Sequence, residues 1–389
     1  MALSKDPPWS DGFRGTSILG RCCVAPPQTP PSRYAGMNPA SLRLRDFLVS
    51  GAPPRPTDRE DAEALATAAR EQGLAGILHT AIVTTLVGSP DPGVWPREVL
   101  NGLRDAHRAL LVRGLRQLEQ AAGVQDRMLA HGLRALPLKG AAVAESLYDT
   151  VADRPMADVD LLALDDWPAS VRVLEELGFR EVGRGDHARA FVEPSSGVVL
   201  ELHHALTSCP GLFPIDSEAL WRRSRAGPGT VGRVPSPEDL LVHLSLHASF
   251  QHGLVLSLVQ YLDFRRVLER LRPDLPTTRD VAVRAGAEAA LGLACAAAAA
   301  VVGGPASMHP VPATLVSWLS ARVADPVRLL TPAAPDLVRL RFGLVAGRRL
   351  RLLAGTLAAL EPGEAQPPWR RSWGVVQRTA RLARTWASS

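Results

Sequence analysis

The chain has 389 residues, of which 46% are hydrophobic and only 5% aromatic, and its mean hydropathy is +0.02. This length and composition exclude a disordered or fibrous chain and leave room for two or three domains with buried cores. The formal net charge of +5 is a mild excess that tolerates an anionic substrate but does not by itself indicate nucleic-acid binding.

Residues 1–36 are rich in proline, serine and glycine and carry no periodic apolar pattern, so we expect them to be disordered. Met37 is an alternative start. The segment lacks a basic start followed by an apolar core, so no secretion signal is expected. The four cysteines show neither CxxC nor Cys/His spacing, and a reducing, cytoplasmic location is the simpler expectation.

Residues 37–132 predict a helical N-terminal domain. The stretch 58–86 carries acidic residues in its first turn, which favours a helix start. The stretch 96–132 opens on Pro96 and closes on Gly132, which are typical helix boundaries.

Residues 133–234 predict a small mixed sheet with helices on one face. Strand-like runs alternate with two helix-like runs and then follow one another across glycine- and serine-bearing turns. These runs are LRALPLKG (strand), AAVAESLY (helix), DVDLLAL (strand), DDWPASVRVLEELG (helix), FREV, HARAFVEP and GVVLELHHAL (strands). The predicted fold class is α+β, with a mixed sheet between helical N- and C-terminal regions.

Residues 235–389 predict a helical C-terminal region that starts after Pro235. Its most apolar window, 289–304, is alanine-rich and shorter than the roughly 20 residues that a membrane-spanning helix needs. We therefore expect a buried helix there and no transmembrane segment.

The run RPMADVDLLAL, residues 154–164, places two carboxylates on one face of a predicted strand. Because side chains alternate along a strand, Asp158 and Asp160 project to one side while Val159 points into the core. Two neighbouring carboxylates repel each other unless a cation lies between them, and Mg²⁺ is the natural occupant. A third acid is expected on a neighbouring strand, and Glu201 in VVLELHH supplies it.

A phosphate-binding turn is predicted just upstream, where a strand ends on Lys139-Gly140 and a helix follows at once. A glycine lets the backbone approach a ligand closely. The amides of a helix N-terminus and a lysine ammonium both favour phosphate.

Taken in order, the motifs LPLKGAAVAESLY, RPMADVDLLAL, LEELGF and VVLELHH resemble the nucleotidyltransferase superfamily of the DNA-polymerase-β-like fold, in particular its bacterial branch of uncharacterised nucleotidyltransferases. The resemblance covers residues 130–210 well and the flanking helices more loosely. It implies transfer of a nucleoside monophosphate from an NTP, with ATP expected, to an acceptor hydroxyl, with pyrophosphate leaving. The acceptor is left open among a small molecule, a peptide, a protein and an RNA end.

The resemblance also implies roles for individual residues. Asp158 and Asp160 would hold two Mg²⁺ ions, and Glu201 would complete the metal site and help to activate the acceptor hydroxyl. Lys139, with Gly140 beside it, and Arg154 would neutralise charge on the triphosphate.

One departure from the superfamily pattern keeps an alternative open. The commoner turn is Gly-Ser, whose hydroxyl contacts phosphate, whereas Gly140 is followed here by Ala141. Lys139 is expected to replace that contact. The alternative is a non-catalytic nucleotide-binding or regulatory module of the same fold.

Two further features allow other interpretations. His243 and His247 lie four residues apart on a predicted helix, but the glutamate of a zinc-protease helix is missing, so we expect them, with His203, to line a pocket. The arginine-rich tail 341–386 is compatible with a membrane or nucleic-acid surface. The favoured interpretation is the solvent face of a packed helix, because arginine stems also cover apolar surface.

Overall fold

The computed structural model describes residues 39–87, 95–304, 315, 340, 341 and 343–345. The predicted disorder of residues 1–36, the alternative start at Met37 and almost all of the basic tail lie outside the described residues. Those interpretations stay predictions.

The described residues form eleven α-helices, one 3₁₀ turn and two π-helical turns. The helices are α1 Pro39–Ser50, α2 Arg59–Glu71, α3 Ala75–Val87, α4 Arg97–Ala130, α5 Lys139–Leu147, α6 Trp167–Glu176, α7 Ser217–Arg223, α8 Pro237–Leu246, α9 Leu258–Arg266, α10 Leu275–Arg284 and α11 Glu288–Val302. The 3₁₀ turn is Val151–Asp153, and the π-helical turns His247–Gln251 and Val267–Leu271 directly follow α8 and α9.

Seven strands form two sheets within the described part of the chain. They are β1 Ala135–Pro137, β2 Val159–Ala163, β3 Arg180–Arg184, β4 Ala188–Val192, β5 Val199–His203, β6 Arg225–Ala226 and β7 Arg233–Val234. The main sheet has the order β1-β2-β5-β4-β3, and β6 and β7 form a separate antiparallel pair. Only β2 and β5 run parallel, and the other neighbours are antiparallel. The predicted α+β class with a mixed sheet is confirmed.

One face of this sheet packs against helices and explains the strand pattern. Val159 and Leu161 on β2 and Leu200 and Leu202 on β5 are fully buried in a cluster shared with α4, α5 and α6. Because side chains alternate, Asp160, Glu201 and their neighbours on the same face project to the opposite side of the sheet. The hydrophobic core thereby fixes the face on which the acidic residues lie.

The helices before and after the sheet region share one hydrophobic cluster. It joins buried residues of α1, α2 and α3 to those of α8, α9, α10 and α11. Two arginines cross between the two sets: Arg45 Nε donates to the carbonyl of Val301 over 3.0 Å, and Arg265 Nη1 to that of Leu48 over 2.7 Å. The domain boundaries drawn at 132 and 234 stay predictions.

The helical stretch predicted over residues 58–86 forms two helices, α2 and α3. Asp58 caps α2 by accepting from the amide of Asp61, and the break falls at Gly73, whose φ is +71°. A Cβ at Gly73 would lie 2.6 Å from Cγ1 of Val259 on α9. A close approach to the C-terminal helices therefore requires glycine at this break.

Two other predicted helices agree with the structure. The stretch 96–132 forms the 34-residue helix α4, and the apolar window 289–304 forms the buried helix α11. Among the described helices, none has the length and apolar character to cross a membrane.

Candidate active site

The two central strands bring the predicted carboxylates together. Asp160 on β2 lies in register with Glu201 on the parallel neighbour β5, so both side chains lie on the face of the sheet opposite the cluster packed against α4, α5 and α6. The side chain of Asp160 is 3% exposed, and that of Glu201 is 16% exposed. Asp158 lies in the bend just before β2 and is half-buried. The strand adjacency expected from the sequence is present, and the functional roles stay proposals.

Lys139 reaches this face from the turn between β1 and α5. The amide of Leu138 donates to the carbonyl of Asp160 over 2.9 Å, which fixes the turn against β2. Lys139 adopts a left-handed backbone with φ +46°, which costs a non-glycine residue about 1 kcal/mol or more. Its ammonium then donates to Oδ1 of Asp160 over 2.6 Å. The chain has only two lysines among 44 basic residues, a signal that already sets Lys139 apart.

His203 supplies a nitrogen to the same cluster. It follows Glu201 by two residues on β5 and therefore shares its face. Its Nε2 lies 2.8 Å from Oδ1 of Asp160 and 3.5 Å from Oε2 of Glu201. The imidazole is 2% exposed, so the predicted pocket position of His203 is a buried contact with both carboxylates.

The charges of these groups shift their pKa values in opposite directions. Burial alone would raise the pKa of Asp160, but the cationic Lys139 and the hydrogen bond from His203 hold it far below its usual range. Burial, reinforced by the negative charge of Asp160, raises the pKa of Asp158 to about 7. Burial lowers the pKa of Lys139, yet the surrounding carboxylates outweigh it and the net shift is upward. The hydrogen bonds to Asp160 and Glu201 likewise raise the pKa of His203 against burial.

The donor set fits a divalent cation. One ligand atom from each of Asp160, Glu201 and His203 lies within 4.8 Å of the others, and no other such group of three occurs among the described residues. Carboxylate oxygens are the ligands that hard divalent ions prefer, and imidazole extends the choice to transition metals. Asp158 lies outside this group of three but is close enough for its pKa to respond to Asp160 and Glu201.

Gly140 is explained by packing. A Cβ at this position would lie 2.6 Å from Cγ and 3.0 Å from Sδ of Met156 in the loop that precedes Asp158. The Lys-Gly turn and the loop that precedes Asp158 therefore pack directly against each other. The predicted close approach of a ligand to Gly140 stays a prediction, and the group that approaches it in the structure is Met156.

Arg154 is engaged by a partner that the motif did not reveal. Its guanidinium donates to both carboxylate oxygens of Asp263 on α9, with distances of 2.7 to 2.9 Å. Tyr148 Oη donates to the same carboxylate over 2.7 Å, and Arg154 and Asp263 are almost fully buried. This network connects the loop that precedes Asp158 to the C-terminal helices. The predicted contact of Arg154 with phosphate stays a prediction.

Further histidines lie beside the carboxylates. His243 on α8 is 4% exposed, and neither of its ring nitrogens has a hydrogen-bond partner among the described residues. Its ring centroid lies 6.2 Å from that of His247. Burial, followed by the positive charge of Lys139, lowers the pKa of His243 to about 3 and that of His247 well below its usual value. His187, which sequence reasoning missed because a lone loop histidine carries no signal, has its ring 5.3 Å from that of His203.

The comparison with known families agrees with this geometry. The family model described as "Uncharacterised nucleotidyltransferase" matches residues 58–303, which is more than half of the chain and contains every residue of the site. A search of curated proteins found no match.

Proposed function

The chain belongs to this family of nucleotidyltransferases, and from that premise we propose that it is a Mg²⁺-dependent enzyme that moves a nucleoside monophosphate from an NTP, with ATP expected, to an acceptor hydroxyl. The acceptor belongs to a small molecule, a peptide or a protein. The observation that carries this proposal is the register of Asp160 with Glu201 on the face of the sheet opposite the cluster packed against α4, α5 and α6.

The carboxylates are assigned to metal binding and to the acceptor. Asp160 and Glu201, with Asp158 beside them, hold the divalent ions, and the ions when bound neutralise the triphosphate and stabilise the attacking and leaving oxygens. Glu201 is the more exposed of the two strand carboxylates, so it is the one that an acceptor hydroxyl reaches. We assign to Glu201 the removal of the hydroxyl proton as the oxygen bonds to the α-phosphorus and the bond to the β-phosphate oxygen breaks.

The remaining residues hold the substrate and the loop. Lys139 supplies a fixed positive charge at the start of α5, where the helix amides also favour phosphate. Arg154 acts as a positioning residue, because its contact with Asp263 holds the loop on which Asp158 lies. Met156, packed on Gly140, holds the same loop against the Lys-Gly turn.

The test uses the full chain with ATP labelled at the α-phosphate, Mg²⁺ and a panel of hydroxyl-bearing small molecules, peptides and proteins. Label should move to one acceptor class with equal release of pyrophosphate. Asp158→Asn combined with Asp160→Asn should lower the rate by at least about a thousandfold, the order lost when a principal electrostatic stabiliser is removed. The circular dichroism spectrum should stay unchanged.

The matched control is Asp105→Asn on the solvent side of α4, where the carboxylate is 65% exposed. This variant should transfer label as the wild type does. Full activity in the double aspartate variant would contradict the site assignment. Nucleotide binding without pyrophosphate release for any acceptor would favour the non-catalytic module.

A further inference from the structure

The imidazole of His203 lies against both strand carboxylates of the candidate metal site. Its Nε2 is 2.8 Å from Oδ1 of Asp160, and the ligand atoms of Asp160, Glu201 and His203 all lie within 4.8 Å of one another. Ligands at right angles around a six-coordinate ion, with bonds of about 2.1 Å, are separated by about 3 Å. The separations of Nε2 from Oδ1 of Asp160, 2.8 Å, and from Oε2 of Glu201, 3.5 Å, are both close to this value.

The fold holds this nitrogen in place. His203 lies in β5 with both flanking strands paired, opposite Leu162 of β2 and Ala188 of β4. The side chain is buried, so it has little freedom to turn away. Lys139 donates to the same Oδ1 of Asp160 over 2.6 Å, which holds that oxygen in place.

We propose that the ion of this site is held by a mixed set of Asp160, Glu201 and His203, that it displaces to solvent the proton between Nε2 of His203 and Asp160 so that Nε2 becomes the third ligand, and that the site prefers Mn²⁺ to Mg²⁺. The inference rests on the proposed function, and it replaces Mg²⁺ with Mn²⁺ as the preferred ion of the same site. Imidazole binds Mg²⁺ poorly and transition ions well, whereas two carboxylates and substrate phosphates suit Mn²⁺. Three side-chain ligands leave three positions of an octahedral ion for nucleotide and acceptor oxygens.

The direct test is electron spin-echo envelope modulation of Mn²⁺ bound to the full chain, with and without ATP. A coordinated imidazole gives ¹⁴N modulation, which we expect in the wild type. Labelling the protein with ¹⁵N-histidine should replace that modulation, and this comparison needs no variant. Mn²⁺ bound without histidine nitrogen modulation would overturn the proposal, as would the absence of Mn²⁺ binding.

Two variants assign the nitrogen to one residue. His203→Gln should lose the modulation, and its preference for Mn²⁺ over Mg²⁺ in direct titrations should fall at least tenfold. His204→Gln is the matched control, because His204 is the next residue but packs on the other face against Trp167, with ring centroids 5.1 Å apart. Modulation unchanged in His203→Gln would overturn the assignment.

The proposed function fails separately from this inference. Asp160→Asn should abolish binding of both Mn²⁺ and Mg²⁺, whichever ion is preferred. Label transfer with an oxygen-only metal site would leave the enzyme proposal intact and remove His203 from the ligand set. Nitrogen-ligated Mn²⁺ without pyrophosphate release from any acceptor would retain the ligand set and contradict the transferase.

Discussion

The ammonium of Lys139 lies 2.6 Å from Oδ1 of Asp160, so the carboxylate at the centre of the site carries a built-in counterion. Nε2 of His203 lies 2.8 Å from the same oxygen and further lowers the pKa of Asp160. A bound metal ion and the Lys139 ammonium thus compete for Oδ1 of Asp160. The left-handed backbone of Lys139 indicates that the fold accepts local strain to place this charge.

Lys139→Met should separate nucleotide binding from metal binding. Loss of one charge-assisted hydrogen bond to phosphate is worth about 1.5–3 kcal/mol, so the Kd for ATP should rise about tenfold or more. Binding of the metal alone should not weaken, because a competing cation leaves Asp160. Isothermal titration measures both constants. Lys139→Arg, which keeps the charge, should recover part of the ATP affinity, and an unchanged Kd for ATP in Lys139→Met would remove Lys139 from the nucleotide site.

Asp263→Asn should destabilise the protein strongly. Removing one partner of the buried pair leaves the Arg154 guanidinium uncompensated, which costs about 3–5 kcal/mol in the free energy of unfolding. Tyr148→Phe removes a single hydrogen bond to the same carboxylate and should cost about 1 kcal/mol. Urea unfolding gives both values.

The pair Arg270–Asp149 is the matched control for this prediction. It also joins the region after α5 to the C-terminal helices, but its side chains are 41% and 81% exposed. Asp149→Asn should therefore change the free energy of unfolding by less than about 1 kcal/mol. Equal losses of unfolding free energy in Asp263→Asn and Asp149→Asn would show that burial of the Arg154–Asp263 pair does not increase its contribution to stability.

The sequence predicted the five strands of the main sheet, but not the short pair β6 and β7, and it predicted that Asp160 and Glu201 lie on neighbouring strands, because these features depend on local patterns. In β2 and β5, apolar residues alternate with Asp160 and Glu201, and a period of two is sufficient to assign the faces. Helix boundaries were also local, as Pro96 at the start of α4 and Gly178 after α6 illustrate.

The contacts that hold the site together were not accessible in this way. Asp263 lies 109 residues from Arg154, and nothing in either segment specifies that they meet. Likewise, the motif around Gly140 predicted phosphate binding. The structure shows that a side chain at this position would collide with Met156, which the motif did not indicate. Strand register, long-range ion pairs and side-chain packing depend on the assembled fold. Local patterns in one sequence therefore do not predict them.

Gly140→Ala should show how closely the Lys-Gly turn packs against Met156 in the loop that precedes Asp158. The new Cβ would lie 2.6 Å from Cγ of Met156, so we expect a loss of about 1–3 kcal/mol from overpacking. In a Met156→Ala background the same substitution should cost close to nothing further, and a double-mutant cycle of urea unfolding curves measures this coupling. Gly123→Ala on α4, where a Cβ meets nothing within 4 Å, is the control and should stabilise by up to about 1 kcal/mol. A loss in Gly140→Ala that persists in the Met156→Ala background would point to a backbone requirement instead.

The buried His243 should make the stability of the protein fall in mild acid. Burial and the nearby charges of Lys139 and His203 lower its folded-state pKa to about 3, although Asp160 acts in the opposite sense, while the unfolded chain keeps an ordinary histidine pKa of about 6.5. Below pH 6.5 the unfolded state therefore binds one more proton at this residue, and stability is lost as the pH falls toward 3. One proton corresponds to about 1.4 kcal/mol per pH unit. In urea unfolding, the slope of stability against pH should differ little between His243→Leu and the wild type above pH 7, and it should be smaller in His243→Leu by up to this amount as the pH falls to 5. Identical slopes in His243→Leu and the wild type would contradict the lowered pKa of His243 in the folded protein.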